Sequence, residues 1–138
     1  MHNADAFVGR WQLSRNIADN LSGQRGTFAG TATFLPTKSG VLTYQEEGHL
    51  QFGATPPMFA TRKYHWHFEG DLVRVTFEDG RPFHQFLPSG HAAGTDHPCG
   101  DDFYQVRYDF TDWPHWEAVW TVTGPRKDYS SFSNYSQL

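Results

Sequence analysis

Apolar and polar residues alternate in short runs along nearly all of this chain, and Gly or Pro closes almost every run. A period of two puts successive side chains on opposite faces of a strand, so the pattern commits the chain to extended, half-buried segments. About nine or ten such segments follow one another at spacings of roughly 10–12 residues, which predicts an all-β barrel or sandwich. Residues 9–17 set Trp11, Leu13, Arg15 and Ile17 against Arg10, Gln12, Ser14 and Asn16. Residues 25–35 form the next run, stopped by Pro36, and 40–52 another, with Glu46-Glu47-Gly48 read as a bulge or tight turn inside it. Residues 58–69 and 71–78 read as a hairpin about Glu69-Gly70-Asp71. Asp79-Gly80 is the strongest two-residue hairpin signal, because glycine tolerates the positive φ of a type I′ turn, and it leads into Pro82 to Leu87. Pro88 to Gly100 lacks alternation and reads as a long loop, and 102–110, 115–123 and 126–135 complete the series. Helix is confined to one short turn at Asp5-Ala6-Phe7-Val8.

Short connections favour neighbouring antiparallel strands, and therefore a barrel over a sandwich. Gly9-Arg10-Trp11 opens the first strand, and Gly124-Pro125-Arg126-Lys127 opens the last. This arrangement suggests a barrel closed by its first and last strands. The ring of Trp11 would plug one end, with the Arg126 guanidinium across its face. The expected architecture is a single antiparallel up-and-down β-barrel with little helix, one domain over residues 1–138 without internal repeats. A barrel of this size can enclose one small ligand.

Composition supports burial through rings. Hydrophobic residues make up 38% and aromatics 17%, so five Trp, six Tyr and twelve Phe carry much of the core. Each can bury about 150–250 Å². The formal net charge is −4, from 15 acidic and 11 basic residues with no basic cluster, so a nucleic-acid partner is not expected. No apolar run approaches the roughly 18 residues of a membrane span. The N-terminal stretch has neither the basic start nor the apolar core of a secretory signal. A single Cys excludes an internal disulfide, and cytoplasmic residence is the expectation. The sequence leaves open whether the chain forms a homodimer.

Gly9-x-Trp11 followed by consecutive short strands looks like the calycins, the lipocalin and fatty-acid-binding-protein group. More of the chain resembles the DUF6314 family, lipocalin-like domains of bacteria and fungi without an assigned activity. The matching stretches are Gly9-Arg10-Trp11, Asp79 to His84, His97 to Tyr104 and Gly124 to Tyr129. The resemblance implies a lipocalin-like, calycin-type barrel and leaves function open. The twin cysteines of secreted lipocalins are missing, consistent with an intracellular relative.

The segment from His84 to Tyr104 carries the densest chemistry. His84, His91, His97 and Cys99 are zinc-ligand types, but their spacing matches no standard zinc pattern, and a polar loop with incidental histidines is the simpler reading. No metal and no cofactor is assigned. Cys99 could pair with His84 or His97 as a nucleophile, since a neighbouring imidazolium lowers a thiol pKa. An unreactive thiol is the plainer alternative. His65 and His67 share a polar strand face. Arg15, Arg74, Arg107 and Arg126 fall within strands, where a surface position is the plainer reading for each; an inward Arg near Tyr hydroxyls would anchor a carboxylate or phosphate. Arg126, Asp128 and Tyr129 stand out for this role, whereas Trp116 and Trp120 read as core. The expected ligand-contacting set is His84, His97, Cys99, Tyr104, Arg126 and Tyr129, beside the barrel mouth. The expected function is binding of a small, mostly apolar, anionic ligand by a carrier or sensor. The alternative is an enzyme with a His/Cys/Tyr site at the mouth.

Overall fold

A computed structural model describes residues 2–138. A short helix, α1 (Ala4–Phe7), precedes eleven strands. They are β1 (Gly9–Asp19), β2 (Arg25–Lys38), β3 (Val41–Phe52), β4 (Met58–Glu69), β5 (Leu72–Phe77) and β6 (Pro82–Phe86), then β7 (His91–Ala93), β8 (His97–Cys99), β9 (Asp102–Asp109), β10 (Trp116–Thr123) and β11 (Asp128–Gln137). One sheet runs β6-β5-β4-β3-β2-β1-β11-β10-β9-β7, with β8 also on β9. Every pairing is antiparallel, and β1 lies between β2 and β11, so the first and last strands do close the wall. The remaining seam, between β6 and β7, is bridged at Thr95. Its N–H donates to the Gln85 carbonyl at 3.0 Å, and the Gln85 N–H donates to Thr95 Oγ1 at 3.1 Å. The result is a nearly closed antiparallel barrel. No helix among the described residues is long and apolar enough to cross a membrane.

Two local readings change. Glu46-Glu47-Gly48 does not turn; β3 keeps its register against β2 straight through it, and the irregularity falls at Pro36–Lys38. Gly48 faces Gly30 across the β2–β3 ladder, and a Cβ on either would strike the opposing backbone. The pair permits a close approach of two strands. The stretch 88–100 is not all loop, because β7 and β8 pair with opposite ends of β9.

Rings fill one end of the barrel. Phe7 of α1 packs on Phe34, Trp66, Trp113 and Trp116. Trp11 is fully buried, 5.6 Å from the Trp113 ring and 5.9 Å from Trp116, and its Nε1–H donates to the Phe7 carbonyl at 2.9 Å. The plug role of Trp11 therefore holds, but Arg126 takes no part in it. Antiparallel pairing sets Trp11 beside Gln137, at the end of β11, whereas Arg126 precedes its first residue. Ten residues of strand separate the two by about 30 Å. Neighbouring aromatics cover the Trp11 ring instead.

Candidate ligand-binding cavity

Along β1 the inward row runs Trp11, Leu13, Arg15, Ile17, Asp19, from the plugged end toward the opposite mouth. Alternation alone places Arg15 in the interior, where it is 8% exposed. There it meets Glu46 of β3, 2% exposed, through two parallel bonds: Nη1–H to Oε2 at 2.7 Å and Nη2–H to Oε1 at 3.0 Å. Its Nε–H donates to Ser133 Oγ at 2.7 Å, and its guanidinium lies 5.2 Å from the Phe28 ring centre. Tyr44 donates its hydroxyl hydrogen to Glu46 Oε1 at 2.7 Å and lies 2.8 Å from the Tyr135 hydroxyl. Burying a charge is costly unless it is paired and hydrogen-bonded, and this crossbar meets both conditions. Burial opposes ionisation of Glu46, yet the Arg15 hydrogen bonds and charge outweigh it and hold the carboxyl below its ordinary range. Burial likewise opposes the Arg15 charge, and Glu46 more than restores it. Burial pushes the Tyr135 hydroxyl up to about 12, so it stays protonated.

The crossbar floors a cavity of about 300 Å³ that opens at the end opposite the plug. Phe28, Leu50, Phe52, Ala60 and Trp120 form apolar walls, and Tyr129 and Arg62 contribute polar groups. At the rim, the Asp19 carboxylate accepts backbone N–H bonds from Leu21 and Ser22, which fixes the turn after β1. The Arg62 guanidinium lies 5.6 Å from the Trp120 ring centre. The wall is incomplete here. β5 pairs with β4 only from Tyr64 to Glu69, so Met58–Lys63 has a free edge, and Arg62 faces both the cavity and an outer groove with Phe77 and Arg81.

Of the six residues expected to contact a ligand, Tyr129 lines this cavity. His84 lies deeper, beside a void of about 20 Å³ beneath the crossbar. Its Nε2 is 2.8 Å from the Tyr108 hydroxyl, its Nδ1 has no protein partner, and its ring stacks near Phe86 and Tyr108. Burial, reinforced by His97, lowers its pKa to about 3, so the ring is neutral near pH 7 and poorly tuned for proton transfer. His97 and Tyr104 pack edge-on against Phe83, and neither is among the residues lining the cavity. Cys99 is exposed at the end of β8, and Arg126 is exposed in the turn before β11, beside Asp101 and Asp102. The 84–104 segment thus divides, with β7 near the plugged end and β8 near the mouth. No three His, Cys, Asp or Glu residues among those described converge on a metal position.

Glu46, Arg62, Phe28, Phe52 and Trp120 line the cavity but do not figure in the set expected from sequence. Glu46 was hidden by its turn-like neighbours. Arg62 was detectable, because a period of two places it on the same face as Tyr64, Trp66 and Phe68.

Solved structures with this fold come from distant proteins. An S-type phycobiliprotein lyase from Guillardia theta is 7% identical, with a TM-score of 0.69 over 98% of this chain and 90% of the lyase. A protein of unknown function from the DUF3598 family of Nostoc punctiforme is 12% identical, with a TM-score of 0.65 over 98% of this chain. This chain spans only 48% of that protein. A redesigned β-barrel, mFAP1, solved with DFHBI bound, is 15% identical with a TM-score of 0.51 over 99% of this chain and all of that one. At such identities the likeness speaks to fold alone. No curated protein matches the sequence. Residues 7–137, nearly the whole barrel, fit the model of a family of unknown function, and the chain belongs to that family, DUF6314.

Proposed function

We propose that this barrel binds a small, mostly apolar molecule with one anionic group, as a carrier or sensor, in the cavity above the Arg15–Glu46 crossbar. The observation that carries this reading is an open, aromatic-walled space of about 300 Å³ over a floor whose polar groups already satisfy one another. Small-molecule sites are concave and mainly apolar, with a few placed polar groups, and span roughly 300–1,000 Å³. A redesigned barrel of similar fold was solved bound to DFHBI, which supports small-molecule binding by a barrel of this kind. Tyr129 is the sequence-derived candidate that this reading retains as a ligand contact.

The test is a titration with DFHBI and with 1-anilinonaphthalene-8-sulfonate, read by fluorescence, on the parent and on Ala60→Trp. Ala60 lines the cavity, so the larger ring fills it. Saturable binding to the parent, weakened about tenfold or more in a folded Ala60→Trp, is expected; tenfold corresponds to about 1.4 kcal/mol. Equal binding by both proteins would place the site elsewhere.

A further inference from the structure

We infer that Arg62 receives the ligand's anionic group and that the ligand is a flat aromatic carboxylate, an inference that rests on the cavity being the binding site. Two guanidinium groups reach this cavity, and they differ in what they have left to give. Arg15 has committed three nitrogens, to both Glu46 oxygens and to Ser133. Arg62 has no carboxylate partner. The Lys and Arg ion pairs among the described residues are made by Arg15, Lys63, Arg74, Arg81 and Lys127.

Of the nearby acids, Glu46 accepts from Arg15 with both oxygens and from Tyr44 as well. Asp19 accepts from two backbone N–H groups at the rim, through Oδ1 alone. Arg62 is exposed and is reached both from the cavity and from the outer groove. A ligand in the cavity covers one side of the guanidinium, and an anionic one gains a charge-assisted hydrogen bond there that a neutral one lacks.

The orientation of Arg62 favours a planar anion. The guanidinium carbon lies 5.6 Å from the Trp120 ring centre, and the Tyr64 hydroxyl lies beside the group. A guanidinium carries five N–H donors in a planar fork, so donors remain for a carboxylate in the cavity. The walls favour a ring system. Phe28, Phe52, Trp120 and Tyr129 enter from β2, β3, β10 and β11, four different strands. Aromatic rings gain from offset or edge-on contacts beyond simple burial. A volume of about 300 Å³ sits at the small end of ligand pockets and suits a two-ring acid.

The experiment titrates biphenyl-4-carboxylate, its primary amide and decanoate into the parent, Arg62→Gln and Ala60→Trp by calorimetry. The parent should bind the acid about tenfold or more tighter than the amide, the range of a charge-assisted hydrogen bond. Arg62→Gln should bring the acid to the amide's level and leave the amide unchanged. Decanoate should bind more weakly than the biphenyl acid. Equal binding of acid and amide by the parent, or parallel loss of both in Arg62→Gln, overturns the role of Arg62. If Ala60→Trp still abolishes both in that case, the cavity survives as the site. Tighter binding of decanoate overturns the aromatic class. If no probe binds the parent, or Ala60→Trp binds the acid as the parent does, the cavity reading falls and this inference with it.

Discussion

Replacing Glu46 by Ala strips the buried crossbar of its only carboxylate. Arg15 keeps one hydrogen bond, to Ser133, and loses two, and its charge remains in a site where it is 8% exposed. Tyr44 loses one partner but retains Tyr135. Removing one partner of a buried ion pair costs about 3–5 kcal/mol, mostly for the charge left behind. For a chain of this length that lowers the melting temperature by roughly 10–20 °C. Replacing both partners with apolar groups of similar volume, Arg15→Met with Glu46→Leu, removes the stranded charge and should restore most of the loss, since such swaps are often neutral or stabilising by about 1–4 kcal/mol. Urea unfolding followed by circular dichroism measures all three proteins on one scale. A Glu46→Ala variant within about 1 kcal/mol of the parent, or a double variant no better than the single, would refute the view of the crossbar as a compensated buried pair. The pH dependence supplies an independent check. The folded pKa of Glu46 lies below its ordinary 4.5, so the unfolded state takes up the proton first as pH falls. Its stabilisation is complete above about pH 4.5 and fades as pH drops through the folded value, and Glu46→Ala should lack that acid limb.

Two further outcomes follow from burial. Trp11→Ala should cost roughly 3–5 kcal/mol in thermal or urea unfolding, since it removes a fully buried ring and the bond to the Phe7 carbonyl; a melting curve matching the parent would end its plug role. His84, with its pKa lowered from 6.5 to about 3, binds protons more readily when unfolded, so stability should fall as pH drops from about 6.5 toward 3. Its ring resonances should not titrate between pH 8 and 5 in an NMR series, and a normal midpoint near 6.5 would show that the ring is not held neutral.

Much of the barrel was legible because burial on one face writes itself directly into a period of two. The hairpins at Gly70 and Gly80, the short helix before β1 and the pairing of first and last strands all follow from patterns within a few residues or from chain order. The two-residue type I′ turn expected at Asp79-Gly80 is not what forms: only Gly80 has a positive φ, and the connection runs from Phe77 to Pro82 with the Gly80 N–H donating to the Phe77 carbonyl. What stayed hidden depends on pairing across long separations. A period of two does set Glu46 on the face of Leu42 and Tyr44 and Glu47 on the other, but the partner that lets a carboxylate enter the core, Arg15, lies 31 residues away and leaves no local mark. Arg126 was matched to Trp11 because both flank the closing strands, and the antiparallel direction of β11 carries it to the other end. The His84–Tyr104 segment drew attention by residue type. Chemical type in sequence does not report whether side chains converge, and here the strand pairings of β7 and β8 send them to different ends.

The free edge of β4 has a consequence for how this protein behaves in a crowd of copies. Met58–Lys63 presents an unpaired row of backbone donors and acceptors, flanked by the exposed side chains of Met58 and Phe59. Such an edge is a template on which another chain can add a strand. Pro56-Pro57 stands immediately before it, and Arg62-Lys63 stands at its other end. Proline supplies no N–H to an incoming strand, and clustered cations repel a second copy of themselves. These four residues act as gatekeepers. Exchanging them for neutral, strand-forming residues would turn the gap beside the cavity into a seam for filament growth.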